Sequence, residues 1–194
     1  MGDKEGAAAL LGNLGNTVME LGNLEQARAL HQECLELRRE LGDKGRVAAS
    51  LNNLGVIAKR QGDYRQAQQF LEECLQQQRE LEDKTGVAIA LVNLGDLAYG
   101  QGNYQQARAF HQEGLAIFRE LGAKRYIVIA LIDLGVCAVA AGDLKEGRAL
   151  LEESSPWRVN RATRARSHSD RVIWEMSPWR KATRNALQPC TRKV

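Results

Sequence analysis

The sequence has few aromatic residues, few prolines and no long apolar run. Aromatic side chains make up 5% of the 194 residues, and only three prolines occur. A membrane-spanning helix needs roughly 18 to 20 consecutive apolar residues, which no segment provides. Residues 1–5 lack the basic start and apolar stretch of a secretory signal. The sequence therefore predicts neither a membrane partner nor secretion.

The chain also lacks recognisable catalytic and metal-binding motifs. Cys34 and Cys74 lie forty residues apart on predicted helices, where a free cysteine acts as a small buried hydrophobe. This usage favours a reducing, cytoplasmic setting. His31 and Cys34 lie one helical turn apart, but two ligands do not make a metal site. No phosphate-binding loop or nucleophile motif occurs, so we expect no enzyme activity, no cofactor and no metal.

What the chain does contain is an internal repeat of forty residues. The segments 11–15, 51–55, 91–95 and 131–135 align on the pattern Leu-x-Asn/Asp-Leu-Gly. A glycine follows each segment at the same spacing, at Gly22, Gly62, Gly102 and Gly142. A strict repeat of this length predicts one supersecondary unit stacked on copies of itself. Such proteins present long binding surfaces, which favours an interaction protein.

Each unit reads as two helices joined by a tight turn. In the second unit one apolar stripe contains Leu51 and Leu54, and a second contains Ala67 and Leu71. Between the stripes, Gly62 suits the left-handed residue that ends a helix. The next residue and Gln66 form the capping box that opens the following helix. The same signal is predicted at Asn23/Gln26, Asp63/Gln66, Asn103/Gln106 and Asp143/Glu146.

These motifs resemble the tetratricopeptide repeat (TPR) family, in its forty-residue variety known from kinesin light chain and from bacterial signalling regulators. The resemblance implies an all-α, right-handed superhelical solenoid of antiparallel helix pairs. The link Glu-Leu-Gly-Asp-Lys, at residues 40–44, most resembles the bacterial group. Two features depart from the family: arginine replaces the closing proline, as at Arg39, and histidine replaces the second-helix aromatic at His31 and His111. The Gly-Asp-Tyr turn argues against HEAT or armadillo repeats.

The predicted array covers residues 1–153, about three and a half repeats, and a tail covers residues 154–194. The repeats are expected at about 7–41, 47–81, 87–121 and 127–153. Proline at position 156 is predicted to end the last helix at Glu153. The tail carries a net charge of +8 against −5 for the rest. It is predicted to be a disordered tail or a frame-shifted segment; the alternative is an arm that binds nucleic acid.

In TPR superhelices the first helix of each pair lines a concave groove, and the resemblance places a peptide site there. Asparagines 13, 53 and 93 are expected to form a ladder, because a carboxamide both donates to and accepts from a peptide backbone. Bracing of neighbouring helices is the alternative reading. Lys59 and Arg60 are expected to make one end of the groove positive, and Asp96 and Asp133 to make the other end negative. The predicted site comprises Asn13, Asn16, Asn53, Lys59, Arg60, Asn93, Asp96, Tyr99 and Asp133, and Asn52 also faces this groove.

The resulting functional prediction is a non-catalytic scaffold that binds a protein or an extended peptide. The resemblance suggests a fragment of a larger bacterial signalling or regulatory protein. Nucleic-acid binding through the tail, or a gene remnant without selected activity, are the alternatives. The first unit lacks a capping helix before it, so Leu10, Leu14 and Leu30 are expected to be uncovered and to drive self-association through the uncapped ends.

Overall fold

The structure, a computed structural model, describes residues 3–159 of the chain. This part of the chain is all-α, which confirms the predicted fold class, and no strand interrupts its helices. The tail, residues 154–194, is predicted to be disordered. Residues 160–194 lie outside the described part of the chain. The helices are α1 (Lys4–Glu20), α2 (Leu24–Glu40), α3 (Lys44–Gln61), α4 (Tyr64–Glu80), α5 (Lys84–Gly100), α6 (Tyr104–Glu120), α7 (Lys124–Ala140) and α8 (Leu144–Val159).

The chain divides into two compact units, with the boundary inside α6 between Ile117 and Phe118. In the first unit each of α1 to α4 packs on the helix that follows it. In the second unit α7 packs on α8. Short links make sequential helices run antiparallel, so the first unit is a stack of antiparallel helix pairs and the second contains the pair α7/α8. Within residues 3–159 no helix combines the length and apolar character that crossing a bilayer requires.

The turns inside the helix pairs have the predicted chemistry. Gly62 has a φ of 82°, a conformation that L side chains rarely adopt. The Asp63 carboxylate then accepts a hydrogen bond from the Gln66 backbone N–H at 3.1 Å, which caps α4. Asn23 and Asp143 cap α2 and α8 in the same way. These local bonds fix where each second helix begins.

The links between successive pairs contain one departure from the repeat. Gly42 has a φ of 70°, and Gly122 has a φ of 62°. At the equivalent position of the second repeat stands Glu82, whose φ is 55°. A non-glycine residue in this region pays a steric cost of about 1 kcal/mol or more. The second link is therefore strained where the first is relaxed.

Close approach of α3 and α4 depends on Gly55. A methyl group added at Gly55 would lie 2.6 Å from Leu71 Cγ and 3.4 Å from the Ala67 carbonyl oxygen. Leu51, Leu54 and Leu71 are all buried in the same core. This core is closely packed, so the glycine is required by the neighbouring helix rather than by backbone conformation.

Cys34 and Cys74 are buried in the first unit, which confirms the prediction that they act as small core residues. The Cys34 thiol donates a hydrogen bond to the Ala8 carbonyl oxygen at 3.1 Å. Burial, followed by the nearby Glu73 carboxylate, raises the pKa of Cys74 to about 11. A thiol with so high a pKa is a poor nucleophile, consistent with a packing role.

In the second unit α8 continues to Val159, so the prediction that proline ends this helix at Glu153 is wrong. Proline at position 156 lies in the last turn, where it lacks the N–H that would otherwise donate to the Glu152 carbonyl oxygen. Ser154, two residues before it, is fully buried, and its hydroxyl donates to the Leu151 carbonyl oxygen at 2.7 Å. The helix therefore extends beyond the expected end.

Arginines at the end of successive second helices form ion pairs between repeats. Arg39 Nη2 lies 2.6 Å from Glu73 Oε1, and Arg79 Nη2 lies 3.4 Å from Glu113 Oε1. In the second unit, Arg119 contacts Glu153 at 2.6 Å. These arginines occupy the position where the family has proline. The side chains are about half exposed, so each pair contributes modestly.

Candidate peptide-binding face

The predicted site residues of the first unit lie on the first helix of each pair. Asn13 and Asn16 lie on α1, Asn53, Lys59 and Arg60 on α3, and Asn93, Asp96 and Tyr99 on α5. Asp43 and Asp83 cap α3 and α5 through their carboxylates. Because the caps repeat every forty residues, equivalent residues of α3 and α5 have the same helical register. The face is therefore set by local signals repeated along the chain.

The asparagines form cross-helix pairs rather than a single ladder. Asn53 Nδ2 donates to Asn16 Oδ1 at 3.1 Å, and Asn93 Nδ2 donates to Asn52 Oδ1 at 2.7 Å. Each bond joins the first helices of neighbouring repeats, so bracing does occur. One N–H and the carbonyl oxygen of each donor carboxamide remain for a ligand. Asn13 is exposed and lies outside both pairs.

Lys59 and Asp96 neutralise each other, so the expected separation of charge is wrong for these two residues. Lys59 Nζ lies 2.9 Å from Asp96 Oδ2, and the side chains are 23% and 24% exposed. An ion pair this sheltered is screened by salt less than a surface pair. Arg60, the next residue, is exposed and makes no ion pair within residues 3–159. The positive charge at this point of the face therefore comes from Arg60.

Beneath this face lie two buried histidines at equivalent repeat positions. His111 is 1% exposed, and its Nε2 lies 3.8 Å from Asp96 Oδ1. Burial lowers the pKa of His111; Asp96 acts against this shift and Lys59 adds to it. Burial and the Arg38 guanidinium lower the pKa of His31. Both rings are neutral near pH 7, so they add no positive charge to the face.

Tyr99 belongs to an aromatic edge that sequence reasoning identified only in part. Its ring centroid lies 5.3 Å from that of Tyr104 at an interplanar angle of 52°. The Tyr64 hydroxyl lies 3.7 Å from where a methyl group on Gly100 would be. Tyr64 and Tyr104 are the first residues of α4 and α6. Their common place after the Gly-Asp/Asn turn was the signal that could have added them to the site.

Asp133, the last predicted site residue, lies on α7 in the second unit. It is 6% exposed. A carboxylate this buried is engaged within the fold rather than presented as the negative end of a groove. Its expected role in steering a ligand therefore has little support from its exposure.

Stacked antiparallel helix pairs with glycine turns, and with polar side chains at repeated positions of the first helices, define a helical-repeat interaction protein. The tetratricopeptide repeat family matches residues 6–80 and 86–156, and the chain belongs to this family. That confirms the resemblance seen in the repeat motifs. The family is generally a non-catalytic scaffold for protein interactions. Among curated proteins, none matches the sequence significantly.

Two solved structures share the fold. One is BtubC (BKLC) from P. vanneervenii, with a TM-score of 0.74 and 23% identity over 86% of this chain and 68% of that protein. The other is a Rap protein in complex with competence and sporulation factor, with a TM-score of 0.74 and 18% identity. That match covers 81% of this chain and 45% of the Rap protein. This chain therefore spans under half of the Rap protein's length.

Proposed function

We propose that the protein is a non-catalytic scaffold whose α1, α3 and α5 face binds an extended peptide or a peptide segment of a partner protein. The observation that supports this most is the asparagine rows, which retain free donors and acceptors beside their bracing bonds. Arg60 and Tyr99 add a cation and an aromatic surface on the same helices. A ligand would offer backbone amides to the asparagines and an acidic group to Arg60.

The setting we propose is a cytoplasmic, larger bacterial signalling or regulatory protein. The bacterial type of link at residues 40–44 supports it, and so do the buried thiols of Cys34 and Cys74. The Rap protein, which shares the fold, is in complex with competence and sporulation factor. Self-association is a second part of the proposal, because Leu10 and Leu14 are 72% and 49% exposed. Leu30 is partly buried against Val18 and Ala27, which weakens its expected part in this.

Binding and bracing can be separated with two variants that lose the same bond. Asn93→Ala and Asn52→Ala each break the 2.7 Å hydrogen bond between α3 and α5. Only Asn93 is proposed to contact the peptide backbone. For a peptide selected from a library, we expect Asn93→Ala to weaken affinity about tenfold, near the 1–2 kcal/mol of a lost hydrogen bond. Asn52→Ala should bind nearly as the wild type does.

Isothermal titration calorimetry measures the affinities, and urea unfolding measures the stability of each variant. The two variants should lose similar stability, of about 1 kcal/mol. Equal loss of affinity in both would mean that the asparagines only brace the helices. Normal binding by Asn93→Ala would place the peptide elsewhere. Arg60→Gln adds a second readout, because it should reduce the salt dependence of binding to an acidic peptide.

A further inference from the structure

The outer face of α1 is a continuous uncharged stripe that is open to solvent. Its members are all exposed, and we name them the α1 seam: Ala7, Leu10, Leu14 and Thr17 of the helix, and Leu21, the residue that caps its C-terminal end. Leu10 is 72% exposed, Leu14 49% and Leu21 81%. Large exposed apolar side chains in a row on one helix are uncommon on a soluble surface and mark contact sites.

The spacing of the α1 seam is that of a coiled-coil interface. Its residues follow one another at intervals of three, four, three and four. This is the heptad pattern in which alternate a and d positions meet a partner helix. Amphipathic helices that only cover a globular core usually show a broader apolar stripe. The opposite face of α1 already packs on α2, so the seam is a second, separate contact face of the same helix.

The equivalent face of the next first helix is covered by a helix. Leu54 stands in α3 where Leu14 stands in α1, yet Leu54 is only 1% exposed. Val47 and Ile57, equivalent to Ala7 and Thr17, are 5% and 0% exposed. The helix α2 packs on α3. The repeat therefore builds this face to receive a helix, and on α1 it receives none from the described chain.

We propose that the α1 seam binds the α1 seam of a second copy of this chain, with the two helices antiparallel. The seam is self-complementary in that orientation. About a midpoint between Leu14 and Thr17, Leu14 meets Thr17 of the second copy and Leu10 meets Leu21. Both of these layers join an a position to a d position, the arrangement of antiparallel helix pairs, and Ala7 lies beyond them at the end of the contact.

The charges of α1 are compatible with this pairing. Lys4 contacts Glu40 at 2.8 Å, and Glu5 contacts Arg46 at 2.9 Å, so both are engaged within the protomer. The remaining charged side chain of α1 is Glu20. In the antiparallel register it lies opposite position 11, a leucine, and not opposite its own copy. No like charges oppose each other across the two-fold axis.

Head-to-tail stacking of copies would lack the ion pair that joins neighbouring repeats within the chain. Glu73 and Glu113 each accept from an arginine of the preceding second helix. Glu33 is their equivalent in the first repeat, and it is exposed. The position forty residues after Arg119, at the end of α8, is a valine, so this helix has no arginine there. A two-fold dimer closes after two copies, whereas head-to-tail contacts would polymerise.

This inference rests on the proposed self-association, and sedimentation velocity over a wide concentration range tests both. We expect a monomer–dimer equilibrium without larger species. Leu14→Glu places a charge at the centre of the seam and should weaken dimerisation at least about a hundredfold. Leu81→Glu is the matched control, because Leu81 is 40% exposed but lies outside the seam. It should dimerise normally, and circular dichroism should show that both variants fold.

Disulfide trapping tests the orientation, in a Cys190→Ser background. Chains carrying Leu14→Cys, mixed with tagged chains carrying Thr17→Cys, should form the mixed disulfide faster than either chain forms a disulfide with itself. Preferred self-linking of the Leu14→Cys chains would show a parallel pair and overturn the proposal. If Leu14→Glu leaves association unchanged, the copies associate through another surface. That result would overturn the proposed α1 seam contact but not self-association. A monomer at every concentration would overturn both, and leave the seam for a helix of another protein.

Discussion

The first and second helix pairs, α1/α2 and α3/α4, share one sequence pattern yet bury different chemistry at the same position. Beneath Gly55 the second pair places Leu71, which is fully buried among apolar neighbours. Beneath Gly15 the first pair places His31, whose ring is equally buried and whose two nitrogens have no hydrogen-bond partner within the described residues.

The difference shows that the repeat specifies volume and position more strictly than it specifies polarity. Leucine and histidine occupy the same space between the same two helices. Leucine contributes apolar burial, whereas histidine adds ring nitrogens that lose their bonds to water. The first pair is therefore expected to be the less stable, and its stability alone of the two should depend on pH through this position.

Adding a side chain at Gly55, where α3 and α4 approach closely, should destabilise the second pair. We expect this change to have the largest effect on the free energy of unfolding. Gly55→Val adds atoms where even one methyl group would lie 2.6 Å from Leu71 Cγ. We expect it to lower the free energy of unfolding by about 2–3 kcal/mol through overpacking. Urea unfolding measures the change. The control is Gly45→Val, because a methyl group at Gly45 would meet only Asp43 Oδ1 at 3.8 Å. A tolerated Gly55→Val would mean that the helix pair can separate at little cost.

Replacing the buried histidine of the first pair with the leucine found in the second should have the next largest effect on stability. His31→Leu should stabilise the protein by about 1–2 kcal/mol at neutral pH, because it removes an unsatisfied buried polar group.

The pH dependence sharpens this test. Burial and Arg38 lower the pKa of His31, so the unfolded chain, whose histidines titrate near about 6.5, binds the proton first. The stability of the wild type is therefore full above about pH 6.5 and falls as the pH drops below it. His31→Leu should flatten part of this slope in urea unfolding from pH 5 to 8, and His31→Leu/His111→Leu should flatten more. An unchanged slope would show that neither ring resists protonation.

Changes to backbone strain in the links between pairs should have the smallest effect on stability. Glu82→Gly relieves a positive φ of 55° and should stabilise the protein by about 1 kcal/mol. The reciprocal change, Gly42→Glu, puts the strain into the first link, where φ is 70°, and should cost a similar amount. Thermal melting of both variants measures the shifts. If the two changes shift the melting temperature in the same direction, backbone strain is not what distinguishes the links.

Local chemistry was readable from the sequence because its partners lie within a few residues. Gly62 and Asp63 stop one helix and cap the next through bonds that reach no further than Gln66. The end of α8 was not readable. Proline at position 156 is a local stop signal, yet the helix continues past it to Val159.

The candidate site shows the same division. Forty-residue spacing placed Asn53, Asn93 and Lys59 on first helices, as the repeat predicts. It did not predict that Lys59 would pair with Asp96, or that Asn53 would reach Asn16 rather than Asn13. These partners lie 37 residues apart in the sequence. Their contact depends on the offset between two packed helices and on side-chain rotamers, which no spacing rule encodes.

The sequence by itself determined the helical repeat, its turns and caps, and the small residues at which the helices approach. Each of these follows from interactions within one forty-residue repeat, and that repeat recurs along the sequence. Only the tertiary structure decided which polar side chains of the face bond to a neighbouring helix. It also decided how deeply the two histidines are buried and which face of α1 is exposed. Those outcomes arise from packing between units, where shape and distance, rather than sequence order, select the partner.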